Sequence, residues 1–132
     1  MRRYLCALGV CVLLAIIPFS VLAQAPPTAD AYITNTQPST NFGLSTMLPV
    51  QPGTMSYIKL NLGVLPAKAT ITKATLRLYV NAAAAPGSFD VYQVEDAWSE
   101  NGINFNAAPR LGPSATGGRP VSVGTPVEIN FC

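Results

Sequence analysis

The strictest constraint on the fold is a strand pattern in the middle of the chain, KATLRLYVN at residues 73–81. Its small and aliphatic side chains fall at every second position, at Ala74, Leu76, Leu78 and Val80. A period of two is typical of a strand with one face in a core and one in water, as antiparallel sheets allow. The pattern predicts an antiparallel strand with Thr75, Arg77, Tyr79 and Asn81 outward.

Four more segments have strand character, ADAYIT at 29–34, SYIKLNL at 56–62, SFDVYQV at 88–94 and TPVEINF at 125–131. The second predicts Ile58, Leu60 and Leu62 inward, with Tyr57, Lys59 and Asn61 outward. The last places Val127, Ile129 and Phe131 on one face. Segments rich in Gly, Pro, Asn and Ser separate these strands, and no helical stripe of normal length occurs. The chain therefore predicts an all-β fold, an antiparallel β-sandwich of jelly-roll type.

The N-terminus, MRRYLCALGVCVLLAIIPFSVLA, has two arginines, a short apolar run, a proline and small residues. This order is that of a secretory signal peptide over residues 1–23, cut after Ala23. The apolar run is shorter than the roughly 20 residues of a membrane span, although an uncleaved anchor stays open. We expect a secreted or cell-surface protein whose single domain spans residues 24–132.

Charge and residue types exclude several classes of function. Removing Arg2 and Arg3 from the eight basic residues leaves a balance with the six acidic ones. A neutral domain has no electrostatic reason to bind nucleic acid or, after cleavage, an anionic membrane. The chain has no histidine, so a Ser-His-Asp triad is excluded. Cleavage of the signal peptide would remove Cys6 and Cys11, and the remaining Cys132 alone forms neither an internal disulfide nor a zinc site of Cys/His type.

The acidic residues have three interpretations. They are Asp30, Asp90, Glu95, Asp96, Glu100 and Glu128. Solvated loop and strand-edge charges are the first interpretation, and a calcium site of carboxylate, amide and carbonyl oxygens is the second. A pair of carboxylates that cleaves glycosidic bonds is the third. We expect no catalysis and no cofactor, with calcium left open.

The outward aromatic residues suggest a ligand. Tyrosine rings on a sheet face stack on sugar rings, but they also pack across strands. Lys59 and Arg77 share the predicted outward parity with two tyrosines and would suit an acidic sugar. The candidate ligand-binding residues are Tyr57, Lys59, Arg77, Tyr79 and Tyr92.

The stretch DAWSENGINFNAAP, residues 96–109, is interpreted as a corner. The dipeptide Asn101-Gly102 favours a tight turn. We expect a short strand after it, with Ile103 and Phe105 inward. Trp98 then fills the core beneath the turn, with its indole N–H bonded locally, and a sugar-stacking role for this ring is the alternative.

Several of these segments together resemble the DNRLRE-type domain, also classified as carbohydrate-binding module family 96. The family pattern has an opening Asp with an aromatic, a TN-aromatic-G loop, two strands and a tryptophan corner ending in AP. It matches this chain at Asp30, Tyr32, Thr40, Asn41, Gly43, Trp98, Ser99, Glu100, Ile103 and Pro109. The chain departs from the pattern at Phe42, Leu60, Asn61 and Phe105.

The resemblance implies a secreted, non-catalytic β-sandwich that binds polysaccharide, with acidic ones such as alginate among the candidates. Such domains occur at cell surfaces and as appendages of polysaccharide-active enzymes, so a catalytic domain in a longer parent is a further expectation. Members of the family continue past the strand at 126–131, so we expect a domain truncated at its C-terminal end. The alternatives are a structural or adhesive surface domain with protein partners, and a fragment without function.

Overall fold

The computed structural model describes residues 22–114, 118–121, 123–124 and 126–131. In these ranges the chain forms β1 (Pro27–Thr34), β2 (Thr54–Leu60), β3 (Ala74–Tyr79), β4 (Ser88–Phe89), β5 (Tyr92–Val94), β6 (Leu111–Ser114), β7 (Arg119–Pro120) and β8 (Pro126–Phe131). Two short 3-10 helices span Leu62–Val64 and Phe105–Ala107. The predicted signal sequence up to residue 21 lies outside the described residues, as does Cys132. Within the described ranges, no helix has the length and apolar character needed to cross a membrane.

All strand pairs in the described ranges are antiparallel, which confirms the predicted all-β class. β1 pairs with β2, and the later strands pair in a nested order, β3 with β8, β4 with β7 and β5 with β6. A long hairpin with arms β3–β4–β5 and β6–β7–β8 generates this order. The described strands thus form four two-stranded antiparallel ladders.

The principal core lies between the β1–β2 ladder and the segment 94–108. Its buried side chains are Ala31, Ile33, Tyr57, Trp98 and Ile103, with Ala29, Met55, Val94 and Ala108 packed against them. The predicted core position of Trp98 is confirmed, since the ring is 8% exposed.

The alternation predicted for β3 and β8 is confirmed. Leu76 and Leu78 are half-buried while Thr75 and Arg77 are exposed. Ile129 is fully buried in the middle of β8. The register joins Arg77 to Glu128 and Thr75 to Asn130, so these four side chains share the outer face of the β3–β8 ladder.

The alternation predicted for β2 is wrong. Tyr57 is 4% exposed, whereas Leu60 and Leu62 are 38% and 63% exposed. The register places Tyr57 opposite Ala31, whose small side chain leaves room for the ring on the core face. Lys59 follows Tyr57 on this inward parity. The prediction assigned the inward face from the aliphatic residues alone. It was wrong because the bulkiest apolar side chain of the strand is the tyrosine ring.

Two further expectations also need correction. The run SFDVYQV is not one strand, since it divides into β4 and β5 at Asp90, whose carboxylate accepts a 2.6 Å hydrogen bond from the Gly118 amide. The short strand predicted directly after the turn at Asn101-Gly102 does not form, and the next strand is β6. Asn104 instead caps a 3-10 helix by accepting a hydrogen bond from the Ala107 amide at 3.0 Å, and Phe105 is 37% exposed instead of inward.

Candidate functional site

The loop at residues 41–43 is tied to the corner by the Asn41 side chain. Its amide nitrogen donates to the carbonyl oxygens of Glu100 at 2.8 Å and Ile103 at 2.7 Å. Its own oxygen accepts from the Gly43 amide at 3.2 Å, a local turn that asparagine forms readily. We call this arrangement the Asn41 clasp. It joins segments about 60 residues apart and closes one end of the core.

Gly43 and two aromatic rings complete this junction. A Cβ atom at Gly43 would overlap the carbonyl oxygen of Glu100, so the close approach of the two backbones requires glycine. Tyr32 stacks on Phe42 with ring centroids 4.3 Å apart and an interplanar angle of 15°. The ring of Phe42 thus retains the aromatic contact that a tyrosine at this position would make.

Trp98 lies between Tyr57 and Lys59. The tyrosine ring meets it edge-on with centroids 5.8 Å apart, and the Lys59 ammonium lies 5.0 Å from its centroid. That ammonium also donates to the carbonyl oxygens of Asp96 at 3.0 Å and Trp98 at 2.8 Å. It lies 2.9 Å from the Asp96 carboxylate. An ammonium has three N–H donors, and these three acceptors use all of them.

The outer face of the β3–β8 ladder has a different character, because its polar groups pair on an exposed surface. Thr75 donates to the side-chain oxygen of Asn130 at 2.7 Å. Arg77 donates through Nε at 3.0 Å and through Nη2 at 2.5 Å to one oxygen of Glu128. Tyr79 follows at the end of β3 and is 65% exposed. A planar ring beside paired donors and acceptors is an arrangement that can hold a sugar.

A family model described as carbohydrate-binding module family 96 matches residues 21–124. The chain belongs to this family. The match covers β1 to β7 and confirms the resemblance found in the motifs. No curated protein sequence matches the module.

The motif residues of the module build the junction just described. Tyr32 supplies one ring of the stack, Asn41 the clasp and Gly43 the close approach. The turn that follows Trp98 is closed by the Ser99 carbonyl, which accepts from the amides of Gly102 and Ile103 at 3.1 and 3.0 Å. Asn61, which departs from the family pattern, caps the first 3-10 helix by accepting from Gly63. These motif residues therefore serve largely to stabilise the fold of the module.

The structure separates the five predicted ligand-binding residues. Tyr57 is in the core, where burial raises the pKa of its hydroxyl, and this oxygen has no hydrogen-bond partner in the described part of the chain. Lys59 is occupied by internal acceptors. Arg77 and Tyr79 remain on one exposed face. Tyr92 is 41% exposed on β5, a strand of another ladder.

Within the described part of the chain, the acidic side chains form no metal centre. No group of three or more His, Cys, Asp or Glu side chains gathers there. Asp30 and Glu100 line one open cleft of about 200 Å³, together with Pro27, Thr28 and Ala29. Two carboxylates in an open cleft do not by themselves define a calcium site, which takes six to eight oxygen ligands.

Sequence reasoning missed three residues of the β3–β8 face. Thr75, Glu128 and Asn130 were placed on strands but not combined, because their pairing depends on a register between distant segments. Lys73 was also missed. It is exposed, lies one residue before β3 and has the same parity as Thr75 and Arg77.

Proposed function

We propose that the module binds polysaccharide through the outer face of the β3–β8 ladder. Membership of carbohydrate-binding module family 96 supports the class of ligand. The observation that carries the choice of face is the exposed ring of Tyr79 beside two inter-strand polar pairs. Sugars offer an apolar ring face together with hydroxyls that both donate and accept, and this surface offers the complement of each.

The family resemblance makes alginate a candidate, and the predicted outward positions of Lys59 and Arg77 would suit such an acidic polysaccharide. The donors of Lys59 are used within the fold. Arg77 remains on the surface, and Lys73 adds a second exposed cation near the start of β3. The proposed ligand is therefore polysaccharide as a class. Whether the module prefers a neutral or an acidic polymer depends on the surroundings of Arg77.

The test is binding of a polysaccharide panel that includes cellulose, xylan, mannan and alginate, by affinity electrophoresis of residues 24–132. Tyr79→Ala removes the ring, and we expect about tenfold weaker binding, or roughly 1.4 kcal/mol. Tyr79→Phe keeps the ring and should retain most of the affinity. Tyr92→Ala is the matched control on another ladder. Full affinity in Tyr79→Ala, with loss in Tyr92→Ala, would move the site to β5.

We further propose that the module is secreted, non-catalytic and active without a cofactor, as a cell-surface element or an enzyme appendage. The N-terminal signal pattern supports secretion, and a secreted product beginning at Gln24 would agree with it. Incubation with alginate should yield no unsaturated products, and incubation with the other polymers no new reducing ends. Equal binding in EDTA and in calcium would agree with a ligand site that needs no metal.

A second candidate function is an adhesive surface domain with protein partners. One loop favours it, because Leu44, Met47 and Val50 are 89%, 70% and 60% exposed. Exposed apolar side chains that lie close together mark contact surfaces in many proteins. Self-association that Met47→Ser abolishes, in a protein that no glycan retains, would favour this function over sugar binding.

A further inference from the structure

Arg77 and Glu128 form an ion pair at the centre of the proposed sugar-binding face. They are direct cross-strand partners, with Thr75 and Asn130 on one side and Tyr79 on the other. Both donated hydrogen bonds of Arg77 reach the same carboxylate oxygen of Glu128. The side chains are 69% and 47% exposed, so a ligand on this face reaches both.

The pair is suited to hydroxyl groups. A guanidinium has five N–H donors, and Glu128 takes two of them. The second oxygen of Glu128 has no hydrogen-bond partner among the described residues, so it remains an acceptor. The pair thus offers donors and an acceptor side by side, which matches a sugar hydroxyl because a hydroxyl does both.

The same pair is poorly suited to a carboxylate. A uronic acid that approaches Arg77 meets the negative charge of Glu128 at the same point, and like charges a few ångströms apart repel. Lys73 does not restore a positive charge at this pair. It is four residues before Arg77, about 13 Å along an extended strand, which is further than the Debye length of about 8 Å at physiological salt.

We propose that Glu128 is a specificity-determining residue, which masks the charge of Arg77 and so makes the module select polysaccharides that are neutral at the contact sugar over polyanionic ones. The inference rests on the proposed function and names the ligand class of that same face. Arg77 then acts as a hydrogen-bond donor to hydroxyls and not as an anion receptor.

The test compares Glu128→Gln with the wild-type protein against cellulose, xylan and mannan as neutral polymers and alginate as the polyanion. Glutamine keeps the shape and an acceptor for Arg77 but removes the charge. We expect wild-type protein to bind a neutral polymer at least tenfold more tightly than alginate. At low salt, Glu128→Gln should raise the ratio of alginate affinity to neutral-polymer affinity about tenfold. Added salt should reduce the gain, since it screens exposed charges.

Glu95→Gln is the matched control, because Glu95 is exposed just after β5 and has the same charge. An equal alginate gain in both variants would overturn the proposal, since net charge alone would then explain it. Wild-type preference for alginate over every neutral polymer would also overturn it. If Tyr79→Ala loses binding while Glu128→Gln changes nothing, the sugar-binding face stands and only the selectivity fails. Absence of binding to any polymer would refute both.

Discussion

The Asn41 clasp gives the sharpest test of how the module is held together. Asn41→Asp replaces the amide nitrogen by an oxygen of nearly the same size. The two donated hydrogen bonds, at 2.8 and 2.7 Å, become contacts between a carboxylate and the carbonyl oxygens of Glu100 and Ile103. Each lost hydrogen bond costs about 1 kcal/mol, and the repulsion between oxygens adds to this loss. Water reaches the exposed side of Asn41 and relieves part of the repulsion, so we expect a total of about 2–3 kcal/mol.

Urea unfolding followed by the fluorescence of Trp98 measures this loss directly. The chain has one tryptophan, and it is buried in the core that the clasp closes. The dependence of the free energy on urea is about 1–3 kcal/mol per molar for small proteins, so the midpoint should fall by about 0.7–3 M. Such a loss is a large fraction of the stability of a typical domain, about 5–15 kcal/mol.

Asn106→Asp is the matched control. The Asn106 amide donates one exposed hydrogen bond to the Ser39 hydroxyl, at 3.1 Å. A hydroxyl can donate as well as accept, so Ser39 can turn and donate to the new carboxylate. We expect a change within about 0.5 kcal/mol. The reasoning about the clasp is refuted if Asn41→Asp unfolds at the same urea concentration as this control.

Two more predictions concern Trp98 and its neighbours. Tyr57→Phe removes a buried hydroxyl that has no partner in the described residues, so the variant should be as stable as the wild type or about 1 kcal/mol more stable at pH 7. Burial raises the pKa of Tyr57 above 10.0, so the unfolded state loses the hydroxyl proton at a lower pH than the folded state, and the free energy of unfolding of the wild type falls as the pH rises past 10. The wild-type urea midpoint should fall there more steeply than that of Tyr57→Phe, and parallel curves would contradict the assignment. Lys59→Met keeps the apolar stem but loses three acceptor contacts and the ring contact, and we expect a loss of about 1–2 kcal/mol in the same assay. An unchanged urea midpoint in Lys59→Met would instead mean that these internal contacts do not stabilise the fold, and Lys59 would then remain a candidate for ligand binding.

The sequence predicted best where one physical cause decides the outcome. In β3 and β8 the aliphatic residues lie on one side only, and the ring on the other side of β3, Tyr79, stands at the end of the strand, so the alternation was correct. Trp98 was placed correctly because a tight turn after it leaves the core as the place for a large ring. In β2 both sides carry apolar bodies, and only the pairing with β1 decides which side faces the core. The sequence of β2 alone does not specify that pairing.

The candidate site was harder to predict because its contacts are long-range. Lys59 has the pattern of an exposed residue, yet its acceptors lie 37 and 39 residues further along the chain. Glu128 has the pattern of a solvated charge, and only the β3–β8 register brings it to Arg77. The alternation in β3 predicted the outward positions of Arg77 and Tyr79, but it does not report which charges are already paired.

The nested pairing of β3 to β8 has a consequence for the order of folding. The innermost pair, β5 with β6, closes the shortest loop of the three, whereas the pair β3 and β8 joins residues 51 positions apart at Arg77 and Glu128. Long loops cost more entropy to close and slow the formation of the contacts that depend on them. The outer face would then be assembled last, after the inner strands have brought its two halves together. A ribosome-bound chain that lacks β8 would then carry a formed core but lack the outer face that we propose binds sugar.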